Sequence, residues 1–190
     1  MKDKIVITGC CGFVGFNLCK KLLEDKKNII IGIDIISDYY DTKIKIDRLK
    51  ILKNKKNFFF KKIDIQNFRK LNELFKTNKI QSVYNLAAQA GVQYSIKFPK
   101  KYMESNLNGF FNILELSRLY KVKKIFYASS SSVYGDVKQL PVSENILLNP
   151  KNFYGFSKKA NEEMAEIYSQ YYNIKIFGLR FFTIYGPWGR

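Results

Sequence analysis

The sequence predicts an α/β fold: a doubly wound parallel sheet with helices on both faces. Short apolar runs alternate with segments of helical period, which is typical of strand, helix, strand units. The runs IIIGIDI and KIFYASS lack polar alternation, as expected for parallel strands covered on both faces. A glycine-rich turn joins the first apolar run to the first helical segment. At 190 residues, 46% of them hydrophobic, the chain is long enough for one domain with a sizeable core.

The apolar runs and the residues that interrupt them give the order of the elements. We predict strands over residues 4–8, 29–34, 58–63, 82–86, 124–129 and 175–181. We predict helices over residues 13–25, 67–76, 99–120 and 153–172, with a further one over 40–53. Pro99 stands where a helix opens, and Pro141 and Pro150 bracket a loop before the last helix.

Composition excludes several classes of protein. The net charge is +17, and the excess of basic residues is almost all Lys, spread along the chain. Sites that bind phosphates and bases prefer Arg. We therefore expect no nucleic-acid partner. Three Cys residues and no His argue against a metal site. We find no apolar run of about 18 residues and no leader-like N-terminus. The expectation is therefore a cytoplasmic protein without a membrane partner.

The glycine-rich turn predicts a dinucleotide site. Gly9, Gly12 and Gly15 form G-x-x-G-x-x-G between a strand and a helix, and Phe13 and Val14 fill the helix start. A helix N-terminus with free N–H groups binds a pyrophosphate, and this context indicates the Rossmann fold. Asp34 ends the second strand, where a carboxylate can accept hydrogen bonds from both ribose hydroxyls. It would repel a 2′-phosphate, so NAD is favoured over NADP.

Two further strand ends are expected at the same site. Asp64 and Ile65 follow the third strand and would meet the adenine. Leu86, Ala87 and Ala88 follow the fourth strand, and their small side chains leave room for the dinucleotide. Ordinary packing at a strand end is the alternative interpretation for both segments. Cys10 and Cys11, inside the glycine turn, are interpreted as small turn residues rather than nucleophiles.

A tyrosine and a lysine near the other end of the chain predict acid/base chemistry. With no His in the chain, a group titrating near neutral pH must be a shifted Tyr, Lys, Cys or carboxylate. Tyr154 and Lys158 are four residues apart in a predicted helix, so the ammonium can lie beside the phenol and favour the phenolate. Ser130, in the serine run that ends the fifth strand, could hydrogen-bond a substrate oxygen.

Together these motifs resemble the extended short-chain dehydrogenases/reductases of the nucleotide-sugar epimerase and dehydratase group. The resemblance runs over essentially all 190 residues, through ITGCCGFVG, YNLAAQAGVQYS, YASSSSVYG, YGFSKKANE and LRFFTIYGPWGR. The segments DIISDYYDTKIKIDRLK, AAQAGV and FFTIYGPWGR resemble the UDP-glucuronate 4-epimerase branch. Members hold NAD+, oxidise C4 of a UDP-sugar to a ketone, and reduce it from the other face. The resemblance therefore implies conversion of UDP-glucuronate to UDP-galacturonate, or of another UDP-hexose to its C4 epimer.

The resemblance also implies roles for individual residues. Tyr154 would be the acid/base, Lys158 would lower its pKa and hold the nicotinamide ribose, and Ser130 would bond the C4 oxygen. Dehydratases of the group carry an Asp-Glu pair where this chain has Ser131 and Ser132, and these serines cannot act as carboxylate bases. Both serines stay candidates for contact with the substrate. The remaining positions carried over are Asn106 and Phe181 for the cofactor and Thr183 and Arg190 for the substrate.

Three questions stay open from the sequence. Family members continue well beyond residue 190 into a small lobe that closes over the UDP-sugar, so residues 1–190 are interpreted as an NAD-binding domain with the substrate lobe largely absent. A non-catalytic NAD-binding module and a basic RNA-binding protein are the alternatives to an enzyme. A homodimer is kept open as an assembly.

Overall fold

Six parallel strands form one sheet in the computed structural model, which describes residues 3–137 and 140–189. The strands lie in the order β3, β2, β1, β4, β5, β6, and every neighbouring pair is parallel. Their bounds are β1 Asp3–Thr8, β2 Asn28–Asp34, β3 Phe58–Lys62, β4 Ser82–Asn85, β5 Lys124–Ser130 and β6 Lys175–Phe181. The predicted doubly wound sheet is confirmed. Since the order reverses between β1 and β4, a crevice opens there at the carboxyl edge.

Seven α-helices connect the strands in the described part of the chain. They are α1 Phe13–Leu22, α2 Thr42–Lys53, α3 Phe68–Thr77, α4 Val92–Lys97, α5 Pro99–Tyr102, α6 Gly109–Leu119 and α7 Phe153–Tyr172. Asp41, Asn67 and Asn152 cap α2, α3 and α7 by accepting a backbone N–H with their side chains. Helix α1 begins at Phe13, and Gly12 before it provides no such cap.

The predicted helix over residues 99–120 is interrupted. A π-helical segment, Met103–Asn108, separates α5 from α6, and Asn106 lies inside it. The wider turn leaves the Asn106 carbonyl available, and the Asn161 side chain donates to it at 2.7 Å. Helix α4 was not predicted, because its six residues are too few to show a helical period.

The two faces of the sheet are covered to different extents. On one face, α3, α6 and α7 pack over the core that runs from Ile31 through Val83 and Ile125. On the other face, α1 and α2 pack over β1, β2 and β3, around Ile7 and Phe58. Near β5 and β6 the second face carries no helix of the described chain, and Phe177 is 45% exposed. The prediction that KIFYASS is covered on both faces is therefore wrong for this chain: burial alternates along β5.

Candidate active site

A cavity of about 710 Å³ opens at the carboxyl edge of the sheet, beside the adjacent ends of β1 and β4, where the strand order reverses. Its size is typical of a site for a ligand as large as a cofactor. Most of the residues predicted for the cofactor and the chemistry line it, and they come from the ends of all six strands and from helices α1 and α7. These are Gly9, Gly12, Phe13, Val14, Gly15, Asp34, Asp64, Ile65, Leu86, Ala87, Ala88, Ser130, Tyr154, Lys158 and Phe181.

The glycine turn has no room for a side chain at Gly9 or at Gly15. Gly9 has a φ of +70°, and a Cβ there would come within 2.8 Å of the Ala87 nitrogen. A Cβ on Gly15 would overlap the Gly9 carbonyl oxygen and lie 2.8 Å from its carbon. Since Gly12 gives α1 no side-chain cap, the N–H groups of the first helical turn are left for a ligand in the cavity.

Asp34 braces this turn as well as lining the cavity. Its Oδ2 accepts the Cys11 N–H at 3.0 Å, and its Oδ1 accepts the Ile36 N–H at 2.7 Å. A carboxylate offers about four lone-pair positions, so each oxygen can accept a further hydrogen bond. Asp34 can therefore receive ribose hydroxyls while it keeps the turn in place.

Arg48 connects three segments behind the turn, a role that sequence reasoning missed. The side chain is fully buried and donates to the Cys11 carbonyl at 3.0 Å and to the Tyr40 hydroxyl at 2.9 Å. It also donates to the Trp188 carbonyl. One guanidinium thus joins the glycine turn, the approach to α2 and the segment after β6. In the sequence, Arg48 stands inside a predicted helix, and that position does not indicate its long-range partners.

Tyr154 lies at the start of α7, beside the end of β5. Gly155 allows this approach, because a Cβ there would be 2.5 Å from the Ser132 carbonyl oxygen. Burial raises the pKa of Tyr154, a hydrogen bond with the Ser130 side chain opposes the rise, and the nearby Tyr39 adds to it. In this structure the pKa of the phenol is therefore raised, whereas the sequence predicted a lowered one.

The Lys158 ammonium lies near the Tyr154 ring, as predicted, and is held by a backbone group that the sequence did not indicate. Its Nζ donates to the Ala128 carbonyl at 2.7 Å and lies 5.9 Å from the centroid of the Tyr154 ring. The side chain is only 5% exposed, and burial lowers the pKa of Lys158 to about 8. The ammonium is near the tyrosine, but the β5 carbonyl is the group that holds it.

The lowered pKa of Lys158 should appear in the pH dependence of the free energy of unfolding. The pKa of Lys158 is about 8 in the folded protein, against an ordinary value of 10.5. Below pH 8 the folded protein must keep a buried lysine charged, which lowers its stability. This penalty is relieved as the pH rises from about 8 towards 10.5. Relative to Lys158→Met, we expect the wild-type free energy of unfolding to gain about 2 kcal/mol between pH 8 and 9.5. Urea unfolding of both proteins across that range measures this gain, and parallel pH profiles would contradict the assignment.

Some predicted residues lie outside the cavity lining. Asn106 is buried behind it: its side chain donates to the Gln89 carbonyl and to the Ser157 hydroxyl, and accepts the Gln89 N–H at 2.8 Å. Ser131 and Ser132 form a 3₁₀ turn after β5, and Thr183 is exposed after β6. Arg190 lies outside the described residues. Contact of these serines, Thr183 and Arg190 with a substrate stays a prediction.

Other residues line the cavity without having been predicted. Tyr39 and Lys45 come from the segment DYYDTKIK, whose Tyr and Asp content could have drawn attention to it. Lys101, Glu104 and Ser105 come from the α5 region, which the sequence presents only as a helix. The remaining ones are Ile33, Ile35, Ser37, Asp38, Tyr40, Ile63, Gln66, Gln89, Ala90, Ala128, Ser129, Phe182 and Ile184.

The cysteines of the glycine turn are buried. The ligand atoms of Cys10, Cys11 and Asp34 lie within 4.8 Å of one another. However, burial raises the pKa of Cys10 well above its ordinary value, and the neighbouring Cys11 thiol adds to the rise. Both Asp34 oxygens already accept backbone N–H groups. This geometry is consistent with small turn residues, as predicted.

Among the described residues, no helix combines the length and apolar character needed to cross a bilayer.

Comparison with known proteins places this site in a family. The family described as GDP-mannose 4,6 dehydratase matches residues 6–190. CapI of Staphylococcus aureus is 49% identical over 189 residues, which are 98% of this chain and 56% of CapI. UDP-glucuronate 4-epimerase 4 of Arabidopsis thaliana is 40% identical over 188 residues, 98% of this chain and 43% of that protein.

A solved structure has the same fold. The UDP-glucuronic acid 4-epimerase from Bacillus cereus, in complex with UDP-glucuronic acid and NAD, is 34% identical, with a TM-score of 0.92 over 98% of this chain and 59% of that chain. The chain thus spans about half the length of the curated relatives it matches. Since the family match covers nearly all of the sequence, the chain belongs to the GDP-mannose 4,6 dehydratase family within the extended short-chain dehydrogenases/reductases.

Proposed function

We propose that the chain carries the cofactor and acid/base half of an NAD-dependent 4-epimerase of UDP-sugars, with UDP-glucuronate as the substrate and UDP-galacturonate as the product. The observation that carries the proposal is the meeting of the glycine turn, Asp34, Ser130, Tyr154 and Lys158 in one cavity. Similarity to proteins named UDP-glucuronate 4-epimerase supports this substrate.

The residues present fit NAD. The uncapped first turn of α1 can receive the pyrophosphate, and Asp34 keeps acceptor capacity for the ribose. The carboxylate would repel a 2′-phosphate, which favours NAD over NADP. When bound, NAD+ supplies a hydride acceptor that returns the same hydride later in the reaction. Phe181, Tyr154 and Lys158 line the same cavity and would face the nicotinamide.

The proton steps fall to residues of this chain. Ser130 would hydrogen-bond the C4 oxygen, and Tyr154 would take the C4 hydroxyl proton and return it after the sugar has turned. Because burial raises the pKa of Tyr154, ionisation needs a nearby positive charge, and the Lys158 ammonium 5.9 Å from the ring centroid supplies one. Ala128 orients that ammonium through its carbonyl.

The serine turn favours epimerisation over dehydration. Dehydratases that resemble this chain carry an Asp-Glu pair after the catalytic hydroxyl to eliminate water across C5 and C6, and Ser131 and Ser132 cannot act as such carboxylates. Epimerisation needs only the reversible transfer of one proton and one hydride at C4: Ser130 and Tyr154 would serve the proton, and bound NAD+ would accept and return the hydride.

The direct test is an activity assay. The 190-residue chain is incubated with UDP-glucuronate and NAD+, and formation of UDP-galacturonate is followed by chromatography. A binding measurement with NAD+ runs in parallel. Product formation supports the full proposal. NAD+ binding without turnover, in this chain and in a form extended to the length of its relatives, would favour the alternative of a non-catalytic NAD-binding module, which the partial coverage of those relatives keeps open.

Asp34→Asn should change the choice of cofactor. Asn keeps an oxygen for one backbone N–H group but removes the negative charge that faces the ribose. We expect NAD+ affinity to fall roughly fivefold to tenfold, since hydrogen bonds to charged groups exceed neutral ones by about 1 kcal/mol. NADP+ affinity should stay constant or rise, because the repulsion is gone. Calorimetric titration with both dinucleotides measures this, and equal losses for the two would contradict the ribose assignment.

A further inference from the structure

Two charged side chains hold the same residue of the glycine turn, Cys11. Asp34 accepts the Cys11 N–H at 3.0 Å, and Arg48 donates to the Cys11 carbonyl at 3.0 Å. Cys11 and Arg48 are both fully buried, and neither of them lines the cavity. The Cys11 carbonyl therefore points into the protein behind the turn, away from the space that a ligand would fill.

The peptide unit that joins Cys11 to Gly12 is not fixed by sterics at the glycine. Gly12 has φ −70° and ψ 168°, and its N–H donates to the Gly9 carbonyl at 2.9 Å. If this peptide unit turned over, φ of Gly12 would become positive, which glycine adopts without steric cost. The hydrogen bonds at the two ends of the unit, one from Arg48 and one to Gly9, therefore decide its orientation.

The orientation of this peptide unit matters for an anion in the cavity. The unit directly precedes the first turn of α1, whose uncapped N–H groups can receive a pyrophosphate. A peptide unit carries a dipole of about 3.5 D with its negative end at the carbonyl oxygen. Turned over, the Cys11 carbonyl would face the cavity side and repel the phosphates. The bond from Arg48 stabilises the orientation that an anion needs.

The charge of Arg48 also lacks a protein counter-charge. Among the described residues, the arginines in ion pairs are Arg69, Arg118 and Arg180, and the buried Nε of Arg48 has no hydrogen-bond partner. A buried charge without an opposite charge lowers the stability of the unliganded protein. A diphosphate in the cavity would bring negative charge to the other side of the turn, so the position of Arg48 favours the liganded state.

We propose that Arg48 is a positioning residue for the diphosphate of a dinucleotide: it holds the Cys11–Gly12 peptide unit with the carbonyl turned inward and so keeps the first turn of α1 ready for the phosphates. It acts through Cys11, from outside the cavity lining. The inference rests on the proposed NAD+ site but not on the epimerase reaction. By linkage, a bound diphosphate must in turn strengthen the bond between Arg48 and Cys11.

The first test compares ligands with and without phosphates. Arg48→Met removes the donor and leaves an apolar side chain in the buried space. We expect the affinities for NAD+ and ADP, measured by calorimetry, to fall at least about tenfold, because hydrogen bonds to charged groups contribute on that scale. The affinity for adenosine, measured by equilibrium dialysis, should stay within about twofold, since Asp34 still accepts the Ile36 N–H and keeps its place. Unchanged ADP affinity, or an equal loss for adenosine and ADP, would overturn the proposal.

Arg180→Met is the matched control. Arg180 also joins several segments, since it donates to the Glu162 carboxylate, the Tyr134 hydroxyl and the Glu144 carbonyl, and it lies outside the cavity lining. Its loss should lower the urea midpoint of unfolding but leave the ratio of ADP affinity to adenosine affinity within about twofold of the wild type. A fall in this ratio as large as that of Arg48→Met would attribute the effect to general loosening of the fold and contradict the proposal.

A measurement on the unaltered chain covers the case in which Arg48→Met does not fold. Hydrogen exchange of the Arg48 guanidinium is followed by NMR. Saturating ADP should slow it at least about threefold and adenosine should not, because the linkage is reciprocal. Since Arg48 does not line the cavity, ADP cannot shield it directly. Exchange that ADP leaves unchanged would refute the inference.

The same titrations separate this inference from the proposed function. If the unaltered chain bound neither NAD+ nor ADP, the proposed cofactor site would fail, and the role of Arg48 would fail with it. If the unaltered chain bound both ligands and a folded Arg48→Met protein bound them equally well, only the role of Arg48 would be wrong.

Discussion

Tyr154→Phe is expected to slow formation of UDP-galacturonate at least about 100-fold, because a positioned acid/base contributes on that scale. The phenol oxygen is the only atom lost, and the ring keeps its packing at the start of α7, including the edge contact with Tyr102 at 6.1 Å. Affinity for NAD+ should therefore remain within about twofold. The rate and the affinity are measured on the same preparation, in whichever form of the protein turns over.

The control for this substitution is another phenol on the same helix. Tyr168 is buried in α7 and donates its hydroxyl to Glu115 at 3.0 Å, away from the cavity. Tyr168→Phe removes a buried hydrogen bond and should cost about 1 kcal/mol of stability without changing the rate. If Tyr154→Phe turned over at the wild-type rate, Tyr154 would be excluded from the proton transfer.

Gly15→Ala is expected to abolish measurable NAD+ binding. The new methyl group would overlap the Gly9 carbonyl oxygen and come within 2.8 Å of the Gly9 carbon and 3.0 Å of the Cys10 Cα. All of these are backbone atoms of the turn, so no side chain can rotate away, and the turn itself must move. The N–H groups of the first helical turn would then no longer converge on the pyrophosphate. Calorimetric titration with NAD+ measures the loss.

A second glycine separates lost binding from lost stability. Gly178→Ala on β6 meets the Tyr127 hydroxyl at 2.5 Å, which is a side-chain obstacle far along the chain from the turn. We expect both variants to unfold at lower urea concentrations than the wild type, but only Gly15→Ala to lose NAD+ binding. Normal affinity in a folded Gly15→Ala protein would show that the dinucleotide does not rest on this turn.

The glycine turn and the strand ends could be predicted because their signals are local. Gly9, Gly12 and Gly15 follow one strand and open one helix within a few residues, and Asp34 ends the next strand. In a doubly wound sheet, the carboxyl ends of parallel strands share one edge, so local predictions already bring these residues together. The order of the strands and the lining of the cavity agree with that expectation.

By itself, the sequence determined the element order, the turn that would grip a dinucleotide and the pairing of Tyr154 with Lys158 on one helix. Only the tertiary structure decided that Lys158 donates to Ala128, 30 residues away, and that burial raises the pKa of Tyr154, which the sequence predicted to be lowered by Lys158. It likewise decided that Arg48 reaches Trp188, 140 residues away, and that no helix of the described residues covers Phe177 on β6. The physical reason is that hydrogen-bond partners and burial depend on contacts between distant segments, which hydrophobic periodicity and short motifs do not encode.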